Sequence, residues 1–217
     1  MSVPEKEAPM DKYTIIYYAM LLHGMGTLMP WNVFITIVPS YFVGYKLKEI
    51  TGDGRSVDTP FSLNFLSYLG ICSLLPNLLT NLPNILVNLK GGLGKRIVIS
   101  LPTIAATIVL TMTFIFIDTS RIVTIFFLVT MLTVIILNSV TGIYQNSVYG
   151  VVAAFPQQYT NAIVLGNNIC GTFVSFINII TLITLKTVQI AAFAYLIALL
   201  TVVVCLITFI LLPRRRL

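Results

Sequence analysis

The chain has 217 residues, of which 57% are hydrophobic and only 9% charged, with a formal net charge of +6. A soluble domain carries about 25% charged residues, and a globule of this size could not hide so much apolar surface behind so few charges. These proportions exclude a cytosolic enzyme, a disordered protein and a nucleic-acid binder, and leave an all-α polytopic membrane protein in one domain, with at most six or seven spans in the lipid bilayer.

Residues 1–12 are polar and mixed in charge and read as a cytosolic tail. The apolar run behind them is too long for the core of a cleavable signal peptide. Six apolar runs follow, at about 13–42, 61–89, 97–117, 122–149, 161–185 and 189–212. Backbone groups in lipid must be satisfied within the segment, and unbroken apolar runs of this length exclude the alternation of a barrel strand, so each run is predicted to be a helix. The first, second and fourth runs exceed a hydrocarbon core of about 30 Å, which predicts tilt or kinks, with Pro30, Pro76 and Pro83 as kink positions.

The first run holds His23, read as packed or hydrogen-bonded, and the sole tryptophan, Trp31. Leu28, Trp31 and Ile35 step by three and four and share one helix face. An indole there either stacks on a flat ring or packs against the protein. Segment 43–60 is the only connection long enough to be called a loop. In the second run Asn77, Asn81, Asn84 and Asn88 recur at helical spacing. The fourth carries Asn138, Thr141, Gln145 and Tyr149, and the fifth Asn161, Asn168, Thr172 and Ser175. Such stripes cannot comfortably face lipid. They are either interhelical glue or the lining of a cavity for a neutral polar solute. Gly142, Asn146 and Gly150, Gly166 and Cys170, and Gly171 and Ser175 each step by four, which permits close helix approach.

With six spans both termini share a side. Eight of the thirteen Lys and Arg residues fall on that side and five on the other, so the positive-inside rule places both termini in the cytoplasm. The spans carry no paired acids or bases for catalysis, no set of facing metal ligands and no buried ion-coupling carboxylate. No catalytic residue, metal or cofactor is expected. Cys72, Cys170 and Cys205 lie within apolar runs and read as small packing residues.

The string GMGTLMPWN at 24–32 resembles the first-span signature of the equilibrative nucleoside transporter family, GxGxLxPWN. PMDKY at 9–13, NSVTGIYQNSVYG at 138–150, FPQQYT at 155–160, the pair Gly166 and Gly171, and LPR at 212–214 are similar to further family segments in the same order. The resemblance implies the amino-terminal half of a transporter of major-facilitator-like architecture, in which nucleosides move down their gradient by alternating access. Residues 13–212 would be the six-span half-domain and 213–217 the start of a cytosolic central loop. Trp31 with Leu28 and Ile35 would pack on the substrate and Gln145 would hydrogen-bond it. Leu74 would line the same cavity, with Asn77 beside it. Gly24, Gly26, Gly142, Gly150, Gly166 and Gly171 would serve helix packing.

Asn77 stands where the family usually has an apolar residue, and Thr141 where it often has glycine, so these two positions bear on ligand preference. The family's later Asp and Arg at the substrate have no counterpart here. The implied partners are a nucleoside or nucleobase, the bilayer and a second half of the transporter, at the plasma membrane. Two other readings stand beside it: a short chain without transport of its own that pairs with a full transporter, and a passive channel for another small neutral solute.

Overall fold

The computed structural model describes residues 14–53, 55–86 and 92–211, with side chains described except at 83–86. The expected tail at 1–12, the segment 213–217, Asn88 and the side chains of Pro83 and Asn84 lie outside that description. Helix α1 (Ile15–Ile37) continues as a π-helix (Val38–Lys46). A hairpin of β1 (Lys48–Ile50) and β2 (Ser56–Asp58) and a single turn, α2 (Pro60–Leu63), lead into α3 (Phe65–Leu86), α4 (Leu93–Thr113), α5 (Val123–Val152), α6 (Gln157–Thr184) and α7 (Thr187–Leu211). Among the described residues, six helices are long and apolar enough to cross a membrane, the first being Ile15–Lys46. The chain is a multi-pass membrane protein. Its lipid-facing surface is apolar in the expected sense: Ile183 is 81% exposed and Leu200 55%.

The segment read as a loop at 43–60 contains regular structure among its described residues. The first span runs on to Lys46 because the chain widens to π-helix behind Pro39, which lacks an N–H to donate. The backbone N–H of Leu47 donates to the Phe42 carbonyl at 2.9 Å, closing that wide turn. Lys46 therefore belongs to the span and not to a loop. It is 4% exposed, and its ammonium donates to the Ile117 carbonyl on the connection between α4 and α5. Thr119 Oγ1 donates back to the Lys46 carbonyl at 3.2 Å. Thr59 caps α2, accepting from the Ser62 N–H at 3.2 Å, and its hydroxyl donates to the Leu47 carbonyl at 2.6 Å. On the same connection the exposed carboxylate of Asp118 accepts from the backbone N–H of Ser120 at 3.0 Å, a bond that holds this carboxyl below the usual range.

Phe42 is fully buried at this hairpin end of the bundle. Its ring lies 4.9 Å from Phe34, 5.5 Å from Phe65 and 6.1 Å from Phe126, so the π-segment, α1, α3 and α5 meet in one aromatic cluster. Helix α1 is the centre of the fold. It packs chiefly on α6 and α7 and also touches α5, while α5 packs on α3 and α4, and α4 on α7.

Candidate functional site

Three sets of contacts give the relative heights of the helices. Between α1 and α5, His23 Nδ1 lies 2.7 Å from the Tyr144 hydroxyl, and nearer the hairpin Phe34 lines a small cavity with Val134 and Leu137. Rising numbers on α1 thus meet falling numbers on α5, and the two helices are antiparallel. Between α1 and α6, Thr27 meets Asn167 and Asn32 meets Cys170, so these two run parallel. Between α3 and α5, Asn146 Nδ2 donates to Asn81 Oδ1, and a Cβ on Gly142 would lie 2.8 Å from Thr80 Oγ1 and 3.6 Å from Asn77 Oδ1, so these also run parallel.

These registers gather the residues picked from sequence into one band. Trp31 is level with Gly171 of α6. Thr141 of α5 is level with Thr27 of α1 and with Asn77 of α3. Gln145 lies about eight residues toward the N-terminus of α1 from the level of Trp31, roughly 12 Å along the axis. Helical side chains lean toward their own N-terminus, so along the axis Trp31 and Gln145 on antiparallel helices both lean toward the level of Thr141. Leu28, Trp31, Ile35, Asn77 and Gln145 are half-buried. Leu74, near the height of Trp31, is 71% exposed.

Two networks border this band. Thr27 is fully buried, and its hydroxyl lies 2.7 Å from the Gly24 carbonyl and 2.8 Å from Asn167 Oδ1, while Asn167 Nδ2 donates to the Tyr149 hydroxyl at 3.1 Å. The Thr27 hydroxyl has one hydrogen and serves one acceptor at a time. With the Asn167 amide turned end for end, that side chain donates to Thr27 and Thr27 donates to Gly24, so every group is satisfied. On the other flank, Asn146 donates to Asn81 and Asn81 Nδ2 donates to Asn77 Oδ1. Asn77 thus spends its carbonyl oxygen on the α3–α5 seam. Sequence spacing pointed to the asparagines of α3 as a stripe. It did not reveal Thr27 and Asn167, which have no periodic signature and matter through their partners on other helices.

Thr141 differs from its neighbours. It is 8% exposed, and its Oγ1 has no hydrogen-bond partner among the described residues. An unpaired hydroxyl in a buried site costs free energy, which a bound hydrogen-bonding solute would recover. Four polar residues of α6, Asn161, Asn168, Thr172 and Ser175, are exposed.

The packing glycines divide into two groups. A Cβ on Gly24 would press on the Ile163 carbonyl, and one on Gly166 on the Leu21 carbonyl, so α1 and α6 cross backbone to backbone. A Cβ on Gly26 would lie 2.5 Å from Cys205 Sγ, and one on Gly150 would lie 3.1 Å from the Leu93 side chain. At Gly171 nothing lies within 4 Å of such an atom. Among the described residues Gly171 makes no close packing contact, at a height near that of Trp31.

A family model described as "Nucleoside transporter" matches residues 131–217. The chain is 31% identical to equilibrative nucleoside transporter 2 of Rattus norvegicus over 77% of its own length and 37% of the relative's. It is 28% identical to equilibrative nucleoside transporter 1 of Homo sapiens over 95% of its length and 49% of the relative's. With equilibrative nucleoside transporter 3 of Rattus norvegicus it shares 29% identity over 78% of its length and 36% of the relative's. The chain spans about half the length of the curated relatives it matches. Six helices fit to cross a membrane and likeness to these transporters across nearly the whole sequence agree: the chain belongs to the equilibrative nucleoside transporter family.

Proposed function

We propose that this chain forms the amino-terminal half of a facilitative nucleoside carrier and contributes one wall of its substrate site. The observation that carries the reading is the uncharged band between Trp31 and Gln145, with the unpaired Thr141 hydroxyl between them. Leu28, Trp31 and Ile35 offer a flat apolar surface to the base. Thr141 and Gln145 offer hydrogen bonds that discriminate polar solutes without a charge. Asn77 orients that wall through the α3–α5 seam, and Leu74 closes its far side. A neutral solute fits a site with no ionisable side chain, and no cofactor or catalytic step is involved. The half-domain rocks against a second half that covers the exposed polar face of α6, exposing the site to each side in turn. The carrier acts at the plasma membrane with both termini cytoplasmic, in keeping with the Lys and Arg balance.

Uptake of radiolabelled uridine into liposomes carrying the full protein tests the reading. Uptake should saturate and be stimulated by unlabelled uridine on the far side, which a passive channel would not show. Replacing Trp31 and Gln145 together by Ala should reduce uptake by about tenfold or more, the loss expected for a stacking contact and a hydrogen bond combined. Unchanged uptake in that double variant would remove the site assignment.

A further inference from the structure

The indole of Trp31 is half-buried, and a tryptophan on a helix has more than one staggered rotamer open to it unless a neighbour selects one. One neighbour limits it. The ring of Phe34, one turn along the same face, lies 6.0 Å away and is inclined by only 10°. Phe34 cannot drift. It is 2% exposed and is held against Phe42 of the π-segment, itself wedged between Phe65 of α3 and Phe126 of α5. An unbroken series of rings thus leads from the aromatic cluster at the hairpin end to the candidate site.

We propose that Phe34 is a positioning residue for Trp31: it covers one side of the indole and sets its plane, so that the other side is presented to a planar heteroaromatic group. The inference rests on the reading of Trp31 as a substrate residue and deepens it by assigning the stacked part of the solute to its base. A sugar has no flat face to use such a surface. The π-helical turn gains a role here, because it carries Phe42, the far support of the series.

The test compares Phe34→Leu, which keeps an apolar side chain without a ring, with Phe34→Tyr, which keeps the ring. Trp31 is the only tryptophan of the 217 residues, and its fluorescence in the full protein is assigned by difference from Trp31→Phe. Phe34→Leu should raise the KM for uridine about two- to tenfold, the range an aromatic pair contributes, with maximal rate retained and a melting temperature lowered as far as loss of a buried ring requires. It should also increase acrylamide quenching of Trp31. Phe34→Tyr should restore both. If Phe34→Leu does not fold, Phe34→Met carries the same expectations. Unaltered KM and quenching in a folded ring-less variant would overturn the proposal. If Trp31→Ala leaves uptake intact, the substrate reading of Trp31 fails and the proposal, which rests on it, falls as well. If Trp31→Ala abolishes uptake while Phe34→Leu changes nothing, the positioning role alone is refuted.

Discussion

Nδ1 of His23 on α1 and the hydroxyl of Tyr144 on α5 lie 2.7 Å apart, although 121 positions separate them in the chain. Both side chains are buried, and the ring of Phe209 on α7 stands nearly perpendicular to the imidazole with 5.9 Å between ring centres. One polar pair therefore ties together the three helices around the centre of the bundle. Tyr144→Phe leaves the histidine nitrogen without its partner and should destabilise the protein by about 1–2 kcal/mol. Thermal unfolding in detergent measures this. Tyr144→Phe combined with His23→Phe should recover part of the loss, since no polar atom is then stranded.

The α1–α6 crossing predicts opposite outcomes at two glycines of one helix. Gly166→Ala forces a methyl group into the Leu21 carbonyl, and backbone cannot step aside as a flexible side chain can. The variant should lose about 1–3 kcal/mol or more. Gly171→Ala meets nothing within 4 Å and should alter stability by no more than about 0.5 kcal/mol. Because Gly171 is level with Trp31, its methyl group should instead show in transport, as a higher KM for uridine at unchanged melting temperature.

At Thr141 stability and function should separate. Thr141→Val keeps the shape and removes a buried hydroxyl that has no partner among the described residues. Stability should be unchanged or slightly raised, because no bond is lost and a desolvation cost is relieved. The KM for uridine should rise several-fold. A clear loss of stability in this variant would mean that the hydroxyl is satisfied within the protein.

Two lysines two residues apart should behave differently. Lys48 pairs with Asp58 across the hairpin at 3.3 Å, in solvent, and Lys48→Ala should cost less than about 1 kcal/mol. Lys46 is buried and bonded to the Ile117 carbonyl, so Lys46→Ala removes the pin between the first span and the α4–α5 connection. Hydrogen exchange should rise at 117–122 in Lys46→Ala and stay as it was in Lys48→Ala.

Sequence patterning carried the fold a long way because lipid imposes one rule on every segment. The helices lie close to the apolar runs, and the half-buried positions Leu28, Trp31 and Ile35 follow from helical spacing. The last turn of the first span, at 43–46, was illegible, because Gly44 and the charged Lys46 and Lys48 look like the start of a loop. The asparagines of α3 were legible as a polar stripe, but spacing cannot tell a stripe that joins two helices from one that lines a cavity. Contacts with Asn146 and Gly142 place Asn77 and Asn81 on the seam between α3 and α5.

Composition and motif by themselves determined a membrane-spanning helical chain with few charges, and the family to which it belongs, because hydropathy and short strings such as GMGTLMPWN are local properties. The tertiary structure alone decided which polar groups are spent on one another and which remain free. Asn167 is bound to Thr27 and Tyr149, while the Thr141 hydroxyl has no such partner among the described residues. That difference arises from the register of helices far apart in sequence. Pairing a buried hydrogen-bonding group takes two helices, and no single helix encodes where its neighbour will stand.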